Sequence, residues 1–111
     1  MIVSYLKYRR KAQGKYHLHS PLVFSLYEEV LEKPQAELDA NLKAFINNNP
    51  LIFKDDDLVM IVQGIHRNKN NEADWDKLRN DAKVRLSIDC WSYGLAFVME
   101  RIEKEHYILK I

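Results

Sequence analysis

The feature that most constrains the fold is a change in the spacing of apolar residues near position 55. Before it, apolar side chains follow the 3.6-residue period of a helix, at Leu22, Val23, Leu26, Val30 and Leu31. After it, the run LVMIV at residues 58 to 62 is short, continuous and rich in branched side chains, which is typical of a strand buried on both faces. A strand of this kind is typical of an α/β sheet, so we predict an α/β fold.

The helical part is predicted to span residues 1–48. Ser20 followed by Pro21 is a helix start, because the serine side chain accepts an amide hydrogen bond and proline has no amide hydrogen to leave unpaired. This predicts a helix over about 21–32. Pro34 ends it and opens a second helix, which the NNNP stretch at 47–50 stops. Residues 2–12 are a weaker helix candidate, ended by Gly14.

The strand part is predicted to span residues 56–111 and to join the helices in one domain, 1–111. After the first strand comes a short helix capped by Asn71 and carrying Trp75 on its apolar side. The stretch VRLSIDCW then alternates, with Val84, Leu86, Ile88 and Cys90 on one face. A turn around Tyr93-Gly94 and two more strands follow, so we predict a small mixed sheet with an antiparallel hairpin.

Composition favours one soluble domain. The chain has 111 residues, of which 47% are hydrophobic and 30% are charged. The single Cys90 excludes an internal disulfide, and no signal peptide or membrane-spanning run of about 20 apolar residues is evident. We therefore expect a cytoplasmic protein.

Residues 1–20 form a basic arm without acids, whose cations are Lys7, Arg9, Arg10, Lys11 and Lys15. Clustered cations bind nucleic acid or anionic lipid surfaces by releasing counterions, so anionic-polymer binding is one alternative function. No recognised nucleic-acid-binding module accompanies the charge. The simpler interpretation is a solvated face, and we do not expect a nucleic-acid partner.

Histidines raise the question of a metal site. His19 directly precedes the Ser-Pro helix start, where its simplest role is to orient the chain or bind a backbone group. A zinc site is the alternative, with ligands drawn from His17, His19, His66 and either Cys90 or His106. No dense ligand spacing supports it, so no metal and no cofactor are predicted.

Other catalytic patterns are weaker. His66, Asp89 and Ser87 have the residue types of a catalytic triad, but no nucleophile elbow surrounds the serine. Cys90 lies within an apolar alternation, which favours a buried, unreactive thiol. The acidic run 55–57 lacks the alternating ligands of a calcium loop. We assign no catalytic residue.

Motifs at both ends of the chain carry a family resemblance. In order, these motifs are Gly14, His19-Ser20-Pro21, Val23-Phe24, Ile65-His66, Ala73 with Trp75, Ile88-Asp89, Gly94-Leu95-Ala96-Phe97 and Glu105-His106-Tyr107. A strand, a covering helix and a final antiparallel hairpin is also how class I S-adenosylmethionine-dependent methyltransferases end. Over residues 1–33 and 38–111 the chain resembles a group of bacterial methyltransferase-like proteins of this class.

The resemblance implies a shortened, partial Rossmann-like fold. Members of that group are longer and carry further βα units before the equivalent of residues 58–62, with a glycine-rich loop and an acidic residue that hold the cofactor. Neither has a counterpart here, and the family's Asp-Asp position reads Gln63-Gly64. The resemblance therefore implies a non-catalytic interaction or self-associating protein. The alternative is a methyltransferase fragment that needs a missing half.

A strand that loses its neighbour becomes an apolar edge, which is prone to pairing. The predicted edge consists of Leu58, Val59, Met60, Ile61 and Val62. We expect this edge to pair with a second copy in a homodimer, with burial under the 35–46 helix as the alternative; another protein partner also fits. The predicted functional surface lies where this strand ends, and its members are His19, Gln63, His66, Arg67 and Asp89.

Overall fold

The computed structural model describes residues 20–100 and 102–109. Contacts between residues divide the chain into two compact units, with the change from helical to strand-containing unit between Asp55 and Asp56. This position is where the apolar spacing of the sequence changes. The weaker helix candidate at residues 2–12 lies outside the described residues.

The first helix of the helical unit, α1, spans Pro21–Leu26 and starts as predicted. The Ser20 hydroxyl accepts a hydrogen bond from the backbone N–H of Val23 at 3.3 Å. The helical path continues through Tyr27–Leu31 as a π-helical segment, which widens the turn by one residue. The predicted helix over about 21–32 is confirmed, but its apolar period did not indicate the widened turn.

The second helix follows Pro34, also as predicted. A short 3₁₀ segment, Gln35–Glu37, leads into α2, which spans Leu38–Asn47. Buried residues recur at the helical period along one side of α2, at Leu38, Leu42 and Phe45. Beyond its end, Asn49 donates from its side chain to the carbonyl of Phe45 at 2.7 Å, so one of the last orphan carbonyls is satisfied.

The strand-containing unit has four strands and one helix within its described residues. They are β1 (Leu58–Gln63), α3 (Lys69–Arg79), β2 (Val84–Asp89), β3 (Tyr93–Val98) and β4 (Glu105–Ile108). The sheet has the order β1-β3-β2-β4, in which β3 is antiparallel to β1 and β2 while β4 is parallel to β2. The predictions of an α/β fold, a mixed sheet and an antiparallel hairpin are confirmed.

The hairpin of β2 and β3 differs from the prediction in two details. Its turn lies at residues 90–92, before Tyr93, and not around Tyr93-Gly94. The register also shifts between Val84 and Leu86, which marks a β-bulge at Arg85. Because a bulge moves the following residues to the opposite face, Val84 does not share the face of Leu86 and Ile88.

Strand β1 lies at the edge of the sheet. Among the described residues it pairs only with β3, from Leu58 opposite Val98 to Gln63 opposite Tyr93. The expectation of a strand buried on both faces is wrong, because the interior residues of β1 are half-buried and Leu58 is 62% exposed. A continuous apolar run did not distinguish an edge strand from a central one.

Helix α3 packs on one face of the sheet. Its Trp75 forms a buried cluster with Ile65, Val84 and Ala96. The N-cap of α3 is Asn68, whose side chain accepts from the N–H of Asn71 at 2.8 Å, so the predicted cap at Asn71 is three residues too late. None of the helices in the described ranges has the length and apolarity needed to cross a membrane.

Candidate functional site

The loop between β1 and α3 carries the histidine that the sequence places at the end of the first strand. Gly64 begins this loop with a φ of +66°, a left-handed conformation that glycine adopts without strain. Its N–H donates to the carbonyl of Ser92 at 2.8 Å, and its carbonyl accepts from the Asn71 side chain at 3.0 Å. Ile65 is fully buried, so the loop is anchored directly before His66.

His66 lies between two carboxylates. Its Nε2 is 2.6 Å from Oδ2 of Asp89, at the end of β2, and its Nδ1 is 2.9 Å from Oε2 of Glu72, in the first turn of α3. Asp89 is only 4% exposed, whereas the side chain of Glu72 is 47% exposed. One imidazole therefore joins the loop to a strand through a buried contact and to a helix through an exposed one.

The turn after β2 completes the surroundings of His66. The indole of Trp91 stacks on the imidazole, with ring centroids 4.5 Å apart and planes 16° apart. Trp91 has a φ of 68°, which is uncommon for a residue with a Cβ, and its N–H donates to Oδ1 of Asp89 at 2.9 Å. Asp89 thus accepts on both oxygens, from the His66 ring and from the turn.

These contacts shift the pKa of His66. The hydrogen bond to Asp89 raises the pKa of His66 above its ordinary value of 6.5, burial opposes this, and the bond to Glu72 raises the pKa further. The physical cause is that an imidazolium beside carboxylates is stabilised relative to the neutral ring. The contacts therefore shift the equilibrium of His66 toward its charged form relative to a free imidazole.

A second histidine lies on the same face of the sheet. His106 of β4 is opposite Ser87 in β2, and its Nδ1 is 2.6 Å from the serine Oγ. The ring of Trp75 lies beside it, with centroids 6.5 Å apart. His106 is exposed as a residue, but the groups around its ring partly desolvate it and lower its pKa below 6.5, and the positive charge of Arg79 lowers it further. The neutral form of His106 is favoured.

The sequence pattern for a triad of His66, Asp89 and Ser87 is only partly assembled. His66 and Asp89 are in contact, but the Ser87 hydroxyl bonds to His106 and is 2% exposed. A substrate has no access to a nucleophile buried in the middle of a strand. Both ring nitrogens of His66 already face carboxylates, so neither is available to accept a proton from a bound substrate.

Cys90 is buried, as its apolar surroundings predict. Burial raises the pKa of the Cys90 thiol to about 12, so the thiol remains protonated at neutral pH. A protonated, buried thiol is neither a nucleophile nor a metal ligand. Within the described ranges, no group of three or more histidine, cysteine, aspartate or glutamate side chains is arranged to hold a metal ion.

The predicted functional surface is brought together in part. His66 and Asp89 are in direct contact, whereas Gln63 and Arg67 are exposed at the end of β1 and in the following loop. His17, His19 and the basic arm lie outside the described residues. Neither Glu72 nor Trp91 was selected from the sequence. The first turn of a helix is a favoured position for an acid, and this signal would have placed Glu72 near the preceding loop.

Comparisons of the chain with protein-family models, with curated proteins and with solved structures find no match.

Proposed function

We propose that this chain is a non-catalytic, shortened relative of the class I methyltransferases, and that it self-associates through the edge of β1. The observation that carries this proposal is the position of an apolar strand at the border of the sheet. The interior of β1 reads Val59 to Val62 without a charge, and the exposed Leu58 extends the apolar border. Such an edge favours pairing with another strand.

The order of elements supports the methyltransferase part of the proposal. The resemblance implies a strand, a covering helix and a final antiparallel hairpin, and β1, α3 and the hairpin of β2 and β3 follow one another in this order. The residues of the resembled motifs also occupy connected positions. His66 contacts Asp89, and Trp75 lies against Gly94, where an added Cβ would be 2.5 Å from the indole.

The same contacts support the non-catalytic part. In α/β folds, ligands bind outside the carboxyl ends of strands, which here means the ends of β1 and β2. The side chains at these ends bind each other, since His66 holds the carboxylate of Asp89 and the N–H of Trp91 holds its other oxygen. A site whose polar groups are already paired offers little to a nucleotide.

Pairing of β1 with a second copy gives a defined geometry. Two antiparallel β1 strands related by a twofold axis would extend the sheet continuously across the dimer. Leu58 would then lie at the border of the new interface, where a lysine would have to lose water to pair. Charged residues on edge strands are a natural means of preventing such pairing.

Sedimentation velocity over a range of concentrations tests the proposal on the full chain. We expect a dimer for the parent sequence and a monomer for Leu58→Lys. Leu51→Lys is the matched control, because Leu51 is 91% exposed and lies in the other compact unit, so this variant should remain dimeric. Circular dichroism of both variants checks that they are folded. A monomeric parent chain, or a Leu58→Lys variant that dimerises equally well, would refute self-association through β1.

Calorimetry with S-adenosylmethionine and S-adenosylhomocysteine tests the non-catalytic part separately. We expect no binding of either nucleotide to the parent chain. Saturable binding would show that this chain has a cofactor site and would refute the non-catalytic assignment, whatever its oligomeric state. A monomer that binds neither nucleotide would favour the alternative of a fragment whose β1 edge receives a strand from another chain.

A further inference from the structure

One side chain fastens the loop between β1 and α3 to two different elements. His66 contacts Asp89 at the end of β2 and Glu72 in the first turn of α3, at 2.6 Å and 2.9 Å. The loop begins at Gly64 and ends at Asn68, the N-cap of α3. The position of the first turn of α3 relative to β2 therefore depends in part on the hydrogen bonds that the His66 imidazole donates.

A count of donors fixes the charge that this arrangement requires. An ionised carboxylate only accepts hydrogen bonds, and a neutral imidazole has one N–H. Two hydrogen bonds to two carboxylates need an N–H at each ring nitrogen, which only the imidazolium supplies.

We propose that His66 is a pH-dependent latch: as an imidazolium it ties the loop to both β2 and the first turn of α3, and as a neutral ring it keeps the tie to β2 and loses the tie to α3. This inference concerns the loop and does not rest on self-association through β1.

Loss of a proton breaks one of the two contacts of His66 and leaves the other intact. When the pH rises, one ring proton leaves to solvent, and one nitrogen then faces a carboxylate with a lone pair. Asp89 is 4% exposed and is also held by the N–H of Trp91, so it has no alternative position in water. Glu72 has a side chain that is 47% exposed and is free to turn toward solvent. Deprotonation therefore releases Glu72 and retains the Nε2–H bond to Asp89.

The charged groups that face the His66 ring are consistent with release of Glu72 and retention of Asp89. Among the described residues, the ionisable groups that act on His66 are Asp89 from β2 and Glu72 from α3, and both raise its pKa. Arg67 follows His66 in the loop, but its guanidinium lies beside Gly64. The stacked indole of Trp91 adds a further preference for the cation, because an aromatic face attracts positive charge.

A histidine NMR titration of the full chain between pH 5 and 9 tests the latch. The ring ¹⁵N shifts of His66 should show both nitrogens protonated at pH 6.5, with a midpoint above the ordinary value of 6.5. The backbone amides of Asn71 and Glu72 should shift with the same midpoint, because the first turn of α3 loses its tie as the proton leaves. The fluorescence of Trp91 should follow the same curve.

A pair of variants separates the latch from a purely structural contact. Glu72→Gln should lower the midpoint of His66 and abolish the matching shifts in the first turn of α3. Asp74→Asn is the control, since it removes an exposed carboxylate from the same helix, and it should leave the midpoint and those shifts unchanged. A singly protonated His66 ring at pH 6.5, or a midpoint that Glu72→Gln does not move, would overturn the proposal.

Discussion

His66 and His106 lie on the same face of one sheet and have opposite surroundings. His66 faces two carboxylates and an indole stacked on its ring, whereas His106 faces a serine hydroxyl and the indole of Trp75. The pKa of His66 is raised by its hydrogen bond to Asp89, and that of His106 is lowered by burial. The surroundings thus favour the charged form of one histidine and the neutral form of the other.

The comparison shows two ways of fixing neighbouring elements to a sheet. Around His66, short polar contacts hold the loop and the turn, and the glycine of the loop adopts a left-handed conformation. Around Trp75, whose indole lies beside His106, close packing dominates, because this indole leaves no space for a Cβ at Gly94. We expect the first region to respond to charge and pH, and the second to respond to volume.

The largest expected effect comes from removing one histidine at a time. His66→Leu removes the imidazole from the buried carboxylate of Asp89, so we expect the free energy of unfolding at pH 7 to fall by about 3 kcal/mol. His106→Leu leaves only the hydroxyl of Ser87 unpaired, which costs about 1 kcal/mol. Urea unfolding curves measure both losses. Equal losses would contradict the view that charge holds the first region and packing the second.

The two glycines of the face give a smaller, matched test. Gly94→Ala places a Cβ 2.5 Å from the Trp75 indole, and we expect a loss of about 2 kcal/mol from overpacking. Gly64→Ala adds a Cβ about 3.1 Å from the flexible side chain of Arg67, so its cost is mainly the left-handed backbone, about 1 kcal/mol. Thermal unfolding of both variants provides the ranking. A larger loss for Gly64→Ala would mean that the loop is more rigid than its polar contacts suggest.

The smallest expected effect is the change of stability with pH. His66 and His106 each contribute less than about 1 kcal/mol to it. Because the pKa of His66 is raised on folding, its stabilisation is complete below pH 6.5 and is lost as the pH rises through the folded-state value. Because the pKa of His106 is lowered, its contribution is complete above pH 6.5 and is lost as the pH falls through the folded-state value. The urea midpoint of the parent chain, measured between pH 5 and 9, should therefore fall at both alkaline and acid pH. The alkaline fall should be absent in His66→Gln, and the acid fall should be smaller in His106→Gln. Identical profiles for the parent chain and both variants would exclude these roles.

Local signals in the sequence predicted much of the fold. Ser20 and Pro21 mark the start of α1, Pro34 separates the two helices of the helical unit, and alternation predicts the hairpin. These signals depend on a few neighbouring residues, which is why they could be interpreted without a structure. One local signal was placed wrongly: Asn71 was chosen as the N-cap of α3, and the structure has Asn68 there.

Features that depend on distant residues were not predicted. The bulge at Arg85 reverses the face of Val84, and nothing in the alternating pattern marks it. Asp89 and Ser87 were assigned to a polar face, yet both are buried beside histidines from other elements. His66 and Asp89 were named together as triad candidates and as members of a surface, but no sequence pattern indicates the direct contact between these distant residues. Periodicity gives the face of a residue and not its partner.

The strand order also implies an order of folding. Ile88 and Leu95 of the central hairpin are close along the chain, whereas the β1–β3 ladder joins Met60 to Ala96, which closes a much longer loop. Long loops lose more chain entropy on closure, so the hairpin can form first and β1 can join only afterwards. The edge that we propose for self-association is therefore completed late, and association through it must wait for the slowest ladder to close.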